Sequence, residues 1–248
     1  MNDLEIIGVC HYRRYFGKDG RLLDVNDIEE ALNDCDIISS NIAETTEKNY
    51  RDDFASAHNI NDLLLTGEAI KELYPDDYKA FMDMLEDNTH TYGNLLITRK
   101  NIFDEYCEWL FNIFMWMMDK LDFTGYDMYH MRLFGFLSEN LIRVFSRSRS
   151  YVVKPGRVYI TEEKSETKEL KLAVYQLIKE RKIDEAREML VSYLKLRPDV
   201  MLPLSDISGE LKALTEIVSI NDKLRYEDIY IHTGSLEELI GYYKSITI

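Results

Sequence analysis

Short apolar runs alternate with longer amphipathic segments through the first two thirds of the chain. Three runs, Leu4–Cys10, Asp36–Ser40 and Asn94–Thr98, are apolar without a helical period, which predicts buried strands. Elsewhere apolar residues recur every three or four positions, as in amphipathic helices. That pattern predicts helices at Val25–Asn33, at Asp76–Leu85, from Asn101 onward and at Met131–Phe145, with a closing strand at Tyr151–Ile160. Strands alternating with helices indicate an α/β domain whose sheet is covered on both faces.

Residues 41–62 interrupt this alternation. They are rich in Asn, Asp, Glu and Thr and show no clear period. Long polar loops are uncommon inside a compact domain unless they serve a site, so we predict a substrate-facing loop here.

The pattern changes near residue 162. A charged stretch, Glu162–Glu169, precedes two helical segments, Leu170–Arg181 and Asp184–Leu196, which resemble one tetratricopeptide-type helix pair. We therefore divide the chain into an α/β domain, residues 1–161, and a mainly helical region, residues 162–248. A single pair cannot bury its apolar face alone, so we expect it to dock on the α/β domain or on a partner. Beyond it we predict a helix at about residues 206–218, a strand at Asp228–His232 and a last helix from Ser235.

The chain is acidic, with 30 basic and 45 acidic residues among 248 and a formal net charge of −15. This balance argues against a protein that coats nucleic acid or a bare anionic membrane. It leaves room for a local basic pocket, and therefore for an anionic small substrate.

Cysteine spacing and hydropathy favour the cytoplasm. Cys10, Cys35 and Cys107 are too far apart for a metal-binding pair and indicate small buried thiols in a reducing compartment. The most apolar run, Trp109–Met118, is far shorter than the roughly 20 residues that span a bilayer. Membrane association is therefore expected to be peripheral.

A basic block, His11 to Phe16 (HYRRYF), follows the first predicted strand directly. Ligands of α/β sheets bind beyond the carboxyl ends of strands, and the forked guanidinium groups of Arg13 and Arg14 suit a diphosphate. The alternative is an arginine paired with an acidic side chain, with the aromatic residues in the core.

Two further pairs could carry chemistry. His58 and Asp62 would share a face if they lay on one helix, where they could bind a metal or a sugar hydroxyl; the spacing favours a helix cap with a solvated histidine. His90 and Asn94 bracket the third strand, where polar residues more often form turns.

Glu139 and Arg132 lie about two helical turns apart on nearly the same side of one predicted helix. Facing a cleft, they would suit a general base and a diphosphate stabiliser. Periodicity alone favours an ordinary surface pair between Glu139 and Arg143. The one D-x-D triplet, Asp34 to Asp36, is discounted as a metal site because it leads into a buried strand, and no Gly-rich phosphate loop, GxSxG or HExxH motif occurs.

Five sequence blocks together resemble one known family. They are IGVCHYRRYF (Ile7–Phe16), AHNINDLLLT (Ala57–Thr66), H-x-x-x-N with LLI (His90–Ile97), FDEYCEWLF (Phe103–Phe111) and RLFGFLSENL (Arg132–Leu141). In this order and spacing the chain resembles the bacterial glycosyltransferases of the DUF4422 type, found in capsular, O-antigen and exopolysaccharide gene clusters.

The resemblance implies a GT-A-like, Rossmann-like α/β enzyme. It implies transfer of a sugar, often galactose in pyranose or furanose form, from a UDP-sugar donor to a glycan on a lipid carrier at the cytoplasmic membrane face. Glu139 or Asp62 would deprotonate the acceptor hydroxyl. The donor-side candidates that the family blocks contain are His11, Arg13, Arg14, His58, His90, Asn94 and Arg132. A divalent cation, manganese or magnesium, is left open as a cofactor.

The chain departs from the family in two ways. Members carry a stretch before the HYRRYF block that includes a nucleotide-binding strand, so we expect an N-terminally truncated sheet. Position 140, often arginine in the family, is Asn140 here. The alternative function is therefore an inactive truncated transferase that acts as a protein-interaction module, by self-association or with a partner chain.

Overall fold

The computed structural model describes residues 6–40, 42–44, 47–201, 205–224 and 235–246. The chain forms two compact units, Met1–Tyr159 and Ile160–Ile248. The strands are β1 (Ile6–Val9), β2 (Arg14–Lys18), β3 (Arg21–Leu22), β4 (Ile37–Ser40), β5 (Ile42–Glu44), β6 (Thr89–Thr91), β7 (Leu96–Arg99), β8 (Val153–Gly156) and β9 (Val158–Ile160). The helices are α1 (Val25–Ala31), α2 (Tyr50–Ala57), α3 (Ile60–Leu73), α4 (Tyr78–Glu86), α5 (Lys100–Met118), α6 (Leu133–Ser148), α7 (Ser165–Lys179), α8 (Ile183–Leu196), α9 (Glu210–Leu224) and α10 (Leu236–Ile246).

The first unit is built on a mixed four-stranded sheet with the order β1-β7-β4-β8. β7 runs antiparallel to both β1 and β4, and β4 runs parallel to β8. Two smaller sheets, β3-β2-β9 and β5-β6, are formed by strands between Arg14 and Ile160. The α/β class predicted from the sequence is confirmed, and the three apolar runs form β1, β4 and β7.

Both faces of the central sheet are covered. Ile37 and Leu96 pack into the larger core, which α5 and α6 dominate, whereas Ile38 and Ile97 pack into a smaller core on the other side. Successive residues of a strand point to opposite faces, so a short uninterrupted apolar run is what a doubly covered strand requires.

The predicted polar loop at residues 41–62 is wrong. β5 and α2 lie within this segment, and α3 begins at Ile60. Asn49 caps α2 by accepting from the Asp52 amide (2.9 Å), and only Tyr50 and Phe54 of that helix are buried. Two buried positions in a helix of eight residues are too few to give a visible hydrophobic period.

The second unit buries the α7–α8 helix pair within itself. α9 packs on both α7 and α8, and α10 packs on α9. Val174, Ala186 and Leu214 are fully buried in the shared core. The expectation that the pair needs the first unit or a partner to cover its apolar face is therefore wrong, because helices later in the chain cover it. The predicted strand Asp228–His232 lies outside the described residues.

Within the described ranges, no helix has both the length and the apolar character that crossing a bilayer requires.

Candidate active site around Glu139

The turn between β6 and β7 connects the candidate residues. Gly93 adopts a left-handed backbone conformation (φ +83°) that L side chains rarely adopt. A Cβ atom built on Gly93 would lie 3.0 Å from Leu95 Cδ1, 3.5 Å from Arg14 Nη1 and 3.7 Å from His11 Nε2. The turn therefore favours glycine for its dihedral angle and for the close approach of Leu95, and it places Arg14 and His11 against the same backbone.

Two predicted residues meet at this turn by direct hydrogen bonding. The His11 imidazole accepts from the backbone N–H of Asn94 through Nε2 (3.1 Å), and the Asn94 side chain donates to the Gly135 carbonyl (3.1 Å). Asn94 thus joins the HYRRYF block to the start of α6. Its side chain forms this long-range bond to α6 rather than a bond within the turn.

Glu139 on α6 receives a hydrogen bond from the Gly93 backbone N–H. Burial raises the pKa of its carboxyl to about 7, and the Gly93 N–H and the charges of Arg14 and Arg132 limit the rise. A carboxyl with that pKa is partly ionised at neutral pH, as a general base requires. Arg132 ends the short 3-10 turn His130–Arg132 that precedes α6, so it does not share a helix with Glu139 as predicted, although its charge acts on that carboxyl.

The basic groups beside Glu139 repel one another. Burial, followed by the charges of Arg14 and Arg132, lowers the pKa of His11. Burial and the Arg13 charge likewise lower the pKa of Arg14. The charge of Glu139 has the opposite effect and limits this decrease. Positive charges held together at such cost are common where an anion binds.

A cavity of about 70 Å³ extends from Glu139 between α2, β6 and α6. His90, only 2% exposed, lies in its wall and hydrogen-bonds through Nε2 to the Tyr92 hydroxyl. The Asp53 carboxylate lies 3.6 Å from His90 Nδ1. Burial lowers the pKa of His90, so Asp53 faces a mainly neutral imidazole.

His58 lines the same cavity, but not in the predicted way. It ends α2, and Asn59 caps α3, so His58 and Asp62 do not share one helix. The imidazole is half-buried: it stacks on Phe136 (4.3 Å between centroids) and lies 4.8 Å from Phe54. Burial, followed by repulsion from His130, lowers the pKa of His58 to about 4, so the ring is neutral.

Asp62 is held away from Glu139 in structural contacts. It is 4% exposed, and its Oδ1 accepts from the Tyr126 hydroxyl (2.6 Å), which in turn accepts from the Asn59 amide (3.0 Å). Burial raises the pKa of Asp62, and the Tyr126 hydrogen bond opposes the rise. Of the two predicted bases, Glu139 alone lines the cavity.

Two other arginine side chains, Arg13 and Arg143, are buried in structural contacts. Arg13 is 4% exposed, with its guanidinium 5.2 Å from the centre of the Tyr12 ring. Arg143 does not pair with Glu139: it donates to Asp87 (2.5 Å) and to the Thr89 backbone carbonyl, which joins α6 to β6.

Asn140 bridges the backbone of Thr91, accepting from its N–H (2.9 Å) and donating to its carbonyl (3.2 Å). Asn140 therefore fixes β6 against α6, immediately beside Glu139.

The described part of the chain contains no group of three or more His, Cys, Asp or Glu side chains that could bind a metal. Within the D-x-D triplet, the Asp36 carboxylate accepts from the Val152 backbone N–H (2.8 Å).

Sequence reasoning missed Asp53, Tyr92, Tyr126 and Phe136. Tyr92 lies inside the H-x-x-x-N block, and Phe136 inside RLFGFLSENL, so each was within a recognised motif. Asp53 was hidden in the segment predicted as a loop, and no signal in the sequence links Tyr126 to Asp62.

Comparison with known proteins identifies the family of the chain and a structure with a related fold. The DUF4422 family, described as a domain of unknown function, matches residues 1–150. The apo structure of the bifunctional glycosyltransferase WbbM superposes with a TM-score of 0.57 at 21% sequence identity. The match covers 64% of this chain and 34% of that chain, so this chain corresponds to about a third of WbbM, and at this identity it shows a shared fold. No curated protein matches the chain.

Proposed function

The chain belongs to the DUF4422 family, and from this premise we propose that it is a glycosyltransferase that uses Glu139 as its general base. The donor is a UDP-sugar, with galactose in pyranose or furanose form as the expected sugar. The acceptor is a glycan of a capsular, O-antigen or exopolysaccharide assembly. The observation that carries the proposal is the partly buried carboxyl of pKa about 7 beside a cluster of mutually repelling basic groups.

Each group has a chemical part in the transfer. Glu139 takes the proton of an acceptor hydroxyl, and the resulting oxygen nucleophile forms a bond to C1 of the donor sugar. The bond between C1 and the diphosphate oxygen breaks, and its electron pair leaves with UDP. Arg14 and Arg132 stabilise the negative charge that develops on the diphosphate. One base is sufficient for an inverting transfer.

Three basic groups support a donor site here. The charges of Arg14 and Arg132 act on Glu139, and both also act on His11, whereas the Arg13 side chain is buried. Asp62 is bound to Tyr126 and lies outside the cavity wall. We therefore assign diphosphate binding to Arg14 and Arg132, and proton transfer to Glu139.

Calorimetry of UDP binding tests the proposal, with and without manganese. Arg14→Ala is expected to weaken binding at least tenfold, because charge-assisted hydrogen bonds to phosphate are lost. Arg21→Ala is the matched control, since Arg21 is paired with Asp27 at the surface (2.5 Å). Absence of UDP binding by the folded wild-type protein, or equal binding by both variants, would contradict the assignment. Dependence on manganese would direct the search to carboxylate ligands.

A further inference from the structure

A second, larger cavity adjoins the one that contains Glu139. It measures about 540 Å³ and lies between the junction of α2 and α3 and the segment at residues 124–130. Ala57 and His58 line both cavities, so the two spaces share one wall. No predicted site residue other than His58 lies on the larger one.

The volumes of the two cavities indicate that they hold groups of different size. About 70 Å³ holds a few waters or one hydroxyl group, since a water occupies about 30 Å³ of the liquid. The 540 Å³ of the second cavity falls within the roughly 300–1,000 Å³ typical of small-molecule sites. A ligand that presents a hydroxyl to Glu139 must therefore place most of its volume elsewhere, and the adjoining cavity has the room.

The walls of the larger cavity suit a polyhydroxylated ring. Asn59, Tyr126 and His130 supply an amide, a phenol and an imidazole. These groups are held in place: Tyr126 is fixed by Asp62 and Asn59, and His130 Nδ1 lies 2.7 Å from Asp127 Oδ1. His58 is neutral and stacks with Phe136 and Tyr129 (4.3 and 5.7 Å between ring centroids), which fixes its imidazole in the wall of the cavity.

A third cavity, about 590 Å³, is lined by α5 side chains such as Phe111, Phe114 and Met115. It is almost wholly apolar and offers few partners for hydroxyl groups. Of these two large cavities, the one beside His58 has the chemistry that a glycan requires.

We propose that the 540 Å³ cavity is the acceptor subsite, in which Asn59, Tyr126 and His130 bind the acceptor sugar whose hydroxyl reaches Glu139. The inference rests on the proposed function and deepens it. It also gives Asp62 a role other than that of a base: it is a positioning residue that orients the Tyr126 hydroxyl.

Histidine side-chain NMR tests the subsite, because the chain has only five histidines. Three probes are titrated: the methyl β-D-glycosides of galactose, glucose and N-acetylglucosamine. At least one is expected to shift the His58 and His130 signals saturably, with little effect on His11. His130→Gln and Tyr126→Phe should each weaken that binding about 3- to 10-fold, the effect of one hydrogen bond, followed at the His58 signal.

Tyr74→Phe is the matched control, because the Tyr74 hydroxyl accepts from Asn112 (2.9 Å) and lies outside the cavity wall. It is expected to leave glycoside binding unchanged. If Tyr126→Phe fails to fold because Asp62 loses its partner, His130→Gln remains as the test.

Two outcomes would overturn the subsite: no saturable shift with any of the three glycosides, or shifts that leave His58 and His130 unmoved. UDP is titrated into the same sample. UDP binding without a glycoside response refutes the subsite alone, whereas failure to bind UDP refutes the proposed function.

Discussion

Buried ionisable side chains differ between the two units in whether their surroundings favour the charged or the neutral form. In the second unit, Lys171 is 7% exposed and bonds to Glu163 and Glu210 (2.6 Å each); burial opposes its charge, but these bonds outweigh burial and raise its pKa. Around Glu139 in the first unit, burial prevails, and the shifts of His11, Arg14 and Glu139 all favour the neutral form.

The difference separates groups that stabilise a fold from groups that are available for chemistry. A buried cation that binds two carboxylates is already stabilised in its charged form, so it gains little from binding a ligand. A carboxyl and an arginine that are both pushed toward neutrality gain by binding an acceptor proton or a phosphate. The contrast therefore indicates Glu139, rather than the ion pairs of the second unit, as the candidate for chemistry.

Removing the Glu139 carboxylate should have the largest effect. Glu139→Gln keeps an acceptor for the Gly93 N–H but cannot take a proton, so transfer should fall by about 10²- to 10⁴-fold while UDP binding persists. Steady-state transfer assays with calorimetry in parallel measure both. Glu105→Gln is the control, since that carboxylate binds Arg149 (2.5 Å) and Tyr151 at the surface. Retained transfer in Glu139→Gln would refute the assignment.

Removing the central cation of the second unit should be the largest effect on stability. Lys171→Met leaves Glu163 and Glu210 close together without their partner, at a cost of about 3–5 kcal/mol in the free energy of unfolding. Urea denaturation measures it. Lys168→Met removes an exposed pair with Glu162 (3.2 Å) and should cost less than about 1 kcal/mol. Equal losses would erase the distinction between buried and surface charge.

The pH dependence of stability should distinguish the two units by its sign. The pKa of the Glu139 carboxyl rises from 4.5 to about 7 on folding, so the stability that it contributes is complete below pH 4.5 and is lost as the pH rises through 7. Relative to wild type, Glu139→Gln should therefore gain stability between pH 5 and pH 8, by on the order of 2 kcal/mol.

Glu163 has the opposite sign, because the hydrogen bonds of Lys171 and Ser208 outweigh burial and lower its pKa. Its contribution is present above its unfolded pKa and is lost on acidification. Urea denaturation at several pH values compares Glu139→Gln with Glu163→Gln, and parallel profiles would contradict the contrast.

Changing the turn glycine should affect both stability and binding. Gly93→Ala adds a strained positive φ and crowding against Leu95, at a cost of about 1–3 kcal/mol, and should weaken UDP binding because the turn that contacts Arg14 must shift. Gly20→Ala is matched in backbone conformation (φ +82°) but meets nothing within 4 Å. Thermal unfolding and calorimetry on both variants separate strain from crowding. A similar loss of UDP binding in both would argue against the placement of Arg14.

Much of the fold could be predicted from local patterns. The apolar runs at β1, β4 and β7 and the long stripe of α5 are regular, and so were predicted from the sequence. Failures occurred where the period was weak, as in α2. They also occurred where covering helices came later in the chain, as with α7 and α8.

The sequence by itself determined which segments are buried and which blocks carry unusual chemistry, because hydrophobic period and residue type are local properties. Only the tertiary structure decided that the charges of Arg14 and Arg132 act on Glu139, and that the Tyr126 hydroxyl donates to Asp62. The separation of His58 from Asp62 by a helix break was settled there too. Such choices depend on long-range packing, which brings β2, the turn at Gly93 and α6 to one point, and spacing along the chain does not encode that meeting.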